Sequence, residues 1–117
     1  MKNHSSAIAL RIYLSTTDKD RNEIMYESIV FKAKEAGLAG ATVTKGIFGY
    51  GASSVIHSYK FWEISEKLPV VIEIVDTKEK VMAFYEIIRP TLESMRYGCL
   101  VITEKANVLL DKPGERR

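Results

Sequence analysis

The strongest constraint on this chain is the order in which its hydrophobic spacing changes. Apolar residues recur at every second position from Ile8 to Leu14, which predicts a strand with one buried face. Spacings of three and four follow from Met25 to Ala36 and predict an amphipathic helix. The sequence then repeats the theme, with a nearly continuous apolar strand over Val70–Val75 and helical spacing from Val81 to Met95. Two strand–helix units are therefore expected.

Two shorter segments complete the order of elements. β-branched residues predict a strand over Ala41–Lys45, and an apolar run predicts a last strand over Cys99–Thr103. The order strand, helix, strand, long loop, strand, helix, strand is typical of the ferredoxin-like βαββαβ fold of the α+β class. A length of 117 residues suits one domain over residues 1–117, in which a four-stranded antiparallel sheet carries both helices on one face.

Local signals predict where the helices begin and end. Asp20–Glu23 has the form of a capping box before the first helix, and Gly37 is placed to end that helix. Asp76–Glu79 is a second capping signal. Pro90 interrupts the second helical pattern away from its apolar stripe. We therefore expect a bend or a break there, with the ring facing solvent.

The face of the sheet that carries no helices is expected to be more apolar than a solvent-exposed face needs to be. The predicted members of this face are Arg11, Tyr13, Val71, Glu73, Val75 and Val101. Such a mixture favours coverage by another copy of the chain over scattered exposed apolar residues. The strand Val70–Val75 should then be covered on both faces. Glu73 is expected to point at a neighbouring subunit and to pair with Arg11 or a lysine.

Composition restricts the class of function. A net charge of +2 is too balanced for a chain that works mainly by neutralising a nucleic-acid backbone. The single Cys99 excludes a disulfide framework or a multi-cysteine metal site. The free thiol and the lack of a targeting segment predict a cytoplasmic protein. Residues 111–117 are charged and contain Pro-Gly, which is typical of a frayed tail.

Enzyme motifs are absent from the sequence. His4 and His57 have no partner at metal-ligand spacing, and no Gly-x-Ser-x-Gly nucleophile elbow occurs. The expectation is therefore a protein without catalytic activity.

The glycine-rich residues 45–51 form the best local signal for a ligand site. Glycines let a backbone approach a ligand, aromatic rings can stack on a base, and a lysine at a strand end can reach a phosphate. The pattern is neither a dinucleotide fingerprint nor a P-loop, and a flexible turn is the alternative. The candidate ligand residues here are Lys45, Gly46, Phe48, Gly49, Tyr50 and Gly51.

The segment 46–67 has no clean period over about 20 residues, and long loops of this kind are often functional. It carries Tyr59, Phe61 and Trp62, side chains that are costly to leave in water. Either this segment folds back as a hairpin or short helix, or it awaits a partner.

Three stretches, Gly37–Val43, Lys45–Gly51 and Leu68–Asp76, resemble the uncharacterised PII-like family, a branch of unknown function in the GlnB-like superfamily. The resemblance runs from about Ile8 to Val108. It implies a homotrimer whose sheets face the three-fold axis, with nucleotide clefts between neighbouring subunits. It also implies that loop 46–67 is an effector loop, which docks onto a transporter or an enzyme.

The same resemblance implies ligand residues. Gly49, Tyr50 and Gly51 match the start of the effector loop that lines the cleft, and Gly98 matches the start of the last strand. PII proteins carry a Gly-Asp-Gly-Lys phosphate loop where this chain has Arg96–Cys99. The implied ligand is therefore an adenine nucleotide, with ADP and AMP as compatible as ATP.

Three other functions compete with a nucleotide-sensing trimer. A trimeric metal- or small-ligand-binding protein, like the copper-tolerance relatives of this fold, would need His57, Cys99 or carboxylates to converge across a subunit boundary. An RNA-recognition module would need stacking aromatics on its central strands, and Val70–Val75 has none. A small enzyme is the least favoured alternative.

Overall fold

An antiparallel sheet with two helices on one face is built from the described residues. The computed structural model describes residues 7–50, 56–58 and 67–115. The elements in chain order are β1 (Ala7–Ser15), β2 (Lys19–Asp20), β3 (Glu23–Ile24), α1 (Met25–Glu35), β4 (Thr42–Lys45), β5 (Phe48–Tyr50), β6 (Ile56–Ser58), β7 (Pro69–Thr77), α2 (Lys78–Glu93) and β8 (Leu100–Lys105). The main sheet has the strand order β4–β7–β1–β8, and every neighbouring pair is antiparallel. This arrangement confirms the predicted ferredoxin-like α+β fold.

The core lies between this sheet and the two helices. Alternate residues of β1 and β7 are buried against the helices, as the period of two predicts. The buried members on the strands are Ile8, Leu10, Ile12, Leu14, Val70, Ile72 and Ile74. The helices contribute Met25, Ile29, Ala33, Val81, Phe84, Ile88 and Leu92. These helix residues lie three or four positions apart, so each helix presents one apolar stripe to the sheet.

The predicted capping box before the first helix is wrong. Asp20 and Glu23 pair across a small hairpin formed by β2 and β3, and α1 begins only at Met25. Within the described residues, α1 has no side-chain cap at Ile24. The Asp20 carboxylate instead accepts hydrogen bonds from Ser28 Oγ at 2.9 Å and Lys32 Nζ at 3.0 Å. It therefore binds side chains on the flank of the helix and not the backbone N–H groups that a cap would satisfy.

The other helix-end predictions are confirmed. Gly37 follows α1 with a φ of 82°. Its N–H donates to Lys34 O, and the N–H of Leu38 donates to Ala33 O, which is the Schellman arrangement. Thr77 caps α2 through a hydrogen bond from Lys80 N to its Oγ1 at 3.3 Å. The break considered at Pro90 does not occur. Because α2 ends at Glu93, this exposed proline lies in the last turn of a continuous helix.

The face of the sheet opposite the helices, here called the open face, matches the prediction with two corrections. Val101 lies opposite the buried Ile12 and therefore belongs to the helix-covered face, whereas Ile102, opposite Arg11, lies on the open face. Strand β7 is not covered on both faces within one chain, since Glu73 is exposed. The hydrophobic run of the last strand contains no alternation that could have indicated its phase.

The predicted long loop contains regular structure. Strands β5 and β6 pair as an antiparallel hairpin, with Gly49 opposite His57. The aromatic residues Tyr59, Phe61 and Trp62 lie outside the described residues. Residues 111–115 of the predicted tail have no regular secondary structure. Among the helices of the described residues, none has the length and apolar character needed to cross a membrane.

Candidate functional site

Both ends of loop 46–67 are anchored to the sheet by backbone hydrogen bonds. Gly46 N donates to Pro69 O at 2.7 Å where β4 passes into the loop. At the other end, Thr16 N donates to Leu68 O at 2.9 Å, and Leu68 N donates to Thr16 Oγ1 at 3.0 Å. The end of β1 and the start of β7 therefore hold the base of the loop.

Gly46 has a packing reason to be glycine. A Cβ at this position would lie 2.8 Å from Pro69 Cγ, a distance that real Cβ atoms do not adopt. At Gly49 the corresponding distance is 3.6 Å, which is an ordinary contact. Since the Gly46 N–H already donates to Pro69 O, this glycine contributes the shape of the loop base and not an amide for an anion.

Two aromatic side chains stand exposed beside this base. Phe48 and Tyr50 occupy alternate positions of β5 and therefore share one face of the hairpin, with Gly49 on the other. Their exposed fractions are 65% and 71%. Lys45, the last residue of β4, is also exposed. Two exposed rings and an exposed cation are thus close in the chain, whereas Gly51 lies outside the described residues.

Gly98 lies at the same end of the sheet but beside the opposite edge. Lys45 pairs with Val70 at the β4 edge, and Leu100, two residues after Gly98, pairs with Tyr13 at the β8 edge. Strands β7 and β1 lie between these edges. Three strand spacings amount to about 14 Å. One chain therefore does not bring the Lys45–Tyr50 group next to Gly98.

The two residues named for a metal or small-ligand site, Cys99 and His57, belong to different parts of the fold. Cys99 is half-buried, and burial, followed by the nearby charge of Asp18, raises the pKa of its thiol. His57 belongs to β6. Within the described residues, no group of three or more His, Cys, Asp or Glu side chains could hold a metal ion.

Sequence reasoning missed the residues that fix the loop base. Neither Pro69 nor Thr16 lies in a sequence pattern that indicates a ligand site. The contact of Pro69 with Gly46 joins positions 23 residues apart in the chain, so no local pattern indicated it. The glycine-rich signal was read as a ligand feature, although at Gly46 the neighbouring proline accounts for it.

Comparison with known sequences identifies the relatives of this chain. Residues 7–108 match the DUF190 family, described as "Uncharacterized ACR". The chain belongs to the DUF190 family. A UPF0166 protein of Aquifex aeolicus is 40% identical over 80 residues, covering 68% of this chain and 76% of the relative. A UPF0166 protein of Methanocaldococcus jannaschii is 38% identical over 99 residues, covering 81% of this chain and 85% of the relative.

Solved structures place this DUF190 fold beside the PII-like proteins. CPII from Thiomonas intermedia K12, a nitrogen regulatory PII-like protein bound to ADP, AMP and bicarbonate, aligns with a TM-score of 0.61 at 17% identity, over 87% of this chain and 89% of CPII. The divalent ion tolerance protein CutA1 from Ehrlichia chaffeensis aligns with a TM-score of 0.55 at 20% identity, over 95% and 88%. At these identities the likeness establishes the shared fold.

Proposed function

We propose that this DUF190 protein is a PII-like regulatory protein without catalytic activity of its own. It binds an adenine nucleotide (ADP, AMP or ATP) between neighbouring copies of a homotrimer and contacts a protein partner through loop 46–67. The observation that carries the proposal is the placement of the Lys45–Tyr50 group and Gly98 at one end of the sheet but beside opposite edges. A site that needs both groups is incomplete in one chain.

A cyclic trimer would complete such a site. In a ring with three-fold symmetry, each interface joins one patch of a subunit to a different patch of the next. The β4 edge of one copy can therefore meet the β8 edge of its neighbour. The open face supports assembly as well, because it carries Tyr13, Leu100 and Ile102 around the Arg11 ion pairs.

The exposed aromatics suit an adenine base. Stacking of a base on an aromatic side chain contributes about 1–3 kcal/mol. Phe48 and Tyr50 offer two rings on one face of β5, and Lys45 precedes them with a charge for a phosphate. A cation here is consistent with a nucleotide of one to three phosphates. CPII, which shares the fold, was solved with ADP and AMP.

The anchored base of the loop suits a signalling role. Hydrogen bonds from Gly46 and Leu68 hold both ends, so a ligand beside β5 can bias the loop without deforming the sheet. The exposed residues Ile47, Phe48 and Tyr50 are of the type that anchors protein interfaces. A membrane transporter or an enzyme is the proposed kind of partner.

Isothermal titration of the metal-free protein with ATP, ADP and AMP tests the nucleotide site. We expect at least one nucleotide to bind with a Kd near 1 µM, about −8.2 kcal/mol. Tyr50→Ala should weaken binding about tenfold or more through lost stacking. Phe31→Ala is the matched control, since Phe31 is an exposed aromatic on the outer side of α1.

Light scattering on the same samples tests the assembly. Three subunits are expected, and a monomer at micromolar concentration would contradict the intersubunit site. Absence of heat with all three nucleotides, together with stoichiometric uptake of a divalent transition metal, would favour the metal-binding alternative. Equal affinity of the wild type and Tyr50→Ala would place the nucleotide away from β5.

A further inference from the structure

A cationic groove lies on the helix side of the molecule, and none of the described residues of loop 46–67 lines it. It runs between the β2–β3 hairpin and the carboxyl end of α2 and encloses about 420 Å³. Volumes of this size are typical of sites for small organic molecules. None of the residues in the proposed nucleotide site lines it. Arg96 is two residues from Gly98, so the groove adjoins the nucleotide site at this one segment, but the proposed function uses none of its lining residues.

Three cations line the groove against one carboxylate. The cations are Lys19, Arg21 and Arg96, and the carboxylate is Asp20. Asp20 is already engaged: hydrogen bonds from Lys32 and then Ser28 lower its pKa, and it forms a salt bridge with Lys32 at 3.0 Å. The groove therefore carries an excess of positive charge that its own acid does not balance.

The three cations make no salt bridge to any carboxylate among the residues that the structure describes. Arg96 lies over the Tyr97 ring, with 5.3 Å between Cζ and the ring centroid. The end of α2 does not need them as hydrogen-bond donors, because Pro90 O and Leu92 O accept from Ser94 N and Met95 N. The charge of Arg21 also helps to lower the pKa of Asp20, but no carboxylate of the described residues forms a salt bridge with the three cations.

The remaining walls combine the apolar Met25, Pro90 and Met95 with the hydroxyl side chains of Thr91 and Ser94. Met25 closes the floor and is almost fully buried, Met95 is half-buried, and the Pro90 ring is exposed. Methionine side chains adapt to bound groups of irregular shape. The volume is far larger than an inorganic anion requires, so the apolar and hydroxyl side chains of the walls offer contacts to the organic part of a ligand.

We propose that this groove binds a small organic phosphate, such as a sugar phosphate. Two guanidinium groups match the oxygen pairs of a phosphate monoester, and Lys19 adds a third positive charge. A dianionic phosphate uses this concentration of charge better than a single carboxylate does. The proposal is independent of the nucleotide site at the loop base.

The backbone of Arg21 makes a clean test possible. Its φ of 59° lies in the left-handed region, which glycine adopts without the penalty of a Cβ. Arg21→Gly therefore removes the guanidinium and relieves the backbone, so this variant is expected to fold and to melt at a higher temperature. Arg96→Gln removes the second guanidinium at an exposed position.

The test follows backbone amide signals of the full chain by NMR during titration with ribose 5-phosphate at low salt. We expect saturable shifts confined to residues of the β2–β3 hairpin and the end of α2. Affinity should fall at least tenfold in Arg21→Gly and in Arg96→Gln. Ribose without the phosphate should cause no shifts, and added salt should weaken binding.

Arg89→Gln is the matched control. Arg89 lies on α2, whose carboxyl end lines the groove, but it is itself outside the groove and pairs with Glu86 and Glu93. Its loss should leave the affinity unchanged. An equal loss of affinity in Arg89→Gln would mean that the affinity depends on the net charge of the protein and not on the groove, and would overturn the proposal. Absence of saturable shifts at the groove would overturn the proposal. Inorganic phosphate binding as tightly as ribose 5-phosphate would overturn its organic part.

Discussion

Arg11 donates its Nε–H to Glu73 at 2.8 Å across directly opposed positions of β1 and β7. Its Nη1 donates to Glu104 on β8, also at 2.8 Å. The hydrogen bonds to Glu104 and Glu73 raise the pKa of Arg11, so it stays charged throughout the usual pH range. One cation thus joins three strands and holds two carboxylates on the open face.

Arg11→Met should weaken the proposed trimer more than the fold of one chain. Without the guanidinium, a face that packs against copies would carry two uncompensated carboxylates, which are costly to bury. Assembly should weaken about tenfold or more, measured by light scattering over a dilution series. Arg89→Met removes an exposed α2 pairing and should leave the oligomer unchanged. Trimers of equal stability in both variants would show that the open face is not the interface.

Gly46→Ala should destabilise the chain by about 1–3 kcal/mol, because the new methyl group would meet the Pro69 ring at 2.8 Å. Urea denaturation measures the change. Gly40→Ala is the matched control, since a Cβ there meets nothing within 4 Å. Pro69→Ala removes the clashing Cγ, so the double variant should recover part of the loss. Additive effects of the two substitutions would contradict the proposed contact.

The buried Asp76 should be one of the most sensitive polar positions. It is 1% exposed and accepts hydrogen bonds from Ala39 N at 2.8 Å and Thr77 N at 2.7 Å. Asp76→Ala would leave both donors without this acceptor and should cost about 2–4 kcal/mol in the free energy of unfolding. Thr77→Ala, which removes only the longer cap bond to Lys80 N, should cost about 0.5–1 kcal/mol. A smaller loss in Asp76→Ala than in Thr77→Ala would refute this ranking.

Cys99 should react slowly with alkylating reagents at neutral pH. Burial and the charge of Asp18 raise the pKa of its thiol above the ordinary value of 9.0, so the reactive thiolate is scarce. Alkylation by iodoacetamide, followed by mass spectrometry, should be slower in the native protein than in urea. Asp18→Asn should speed the native reaction modestly. The rise in pKa also means that stability falls as the pH rises above about 9, because the unfolded chain ionises first.

The fold could be predicted because its main elements repeat simple periods. The alternation from Ile8 to Leu14 and the helical spacing from Val81 to Leu92 correspond to the buried sets of β1 and α2. Gly37 and Thr77 act within a few residues of their own position, so local chemistry indicated both. The Arg11–Glu73 pair followed from two charged residues on strands that the fold makes neighbours.

The misplaced features depend on contacts between distant residues. Asp20 resembled a cap, but its hydrogen bonds to Ser28 and Lys32 on the side of α1 compete with capping. Val101 was assigned to the wrong face because a continuous apolar run does not indicate the register with β1. The groove between the β2–β3 hairpin and α2 joins residues about 70 positions apart, which no spacing rule detects.

Because Gly46 and Leu68 anchor the two ends of the loop, the sequence between these anchors can change with little effect on the stability of the sheet. Lys45 pairs with Val70, so the sheet itself holds the two ends of the loop side by side. The entropy of closure changes slowly with loop length, and insertions or deletions between the anchors therefore cost little. A homologous chain can therefore carry a loop of another length or composition on the same sheet and helices. The proposed partner contacts of this loop can thus change while the fold stays the same.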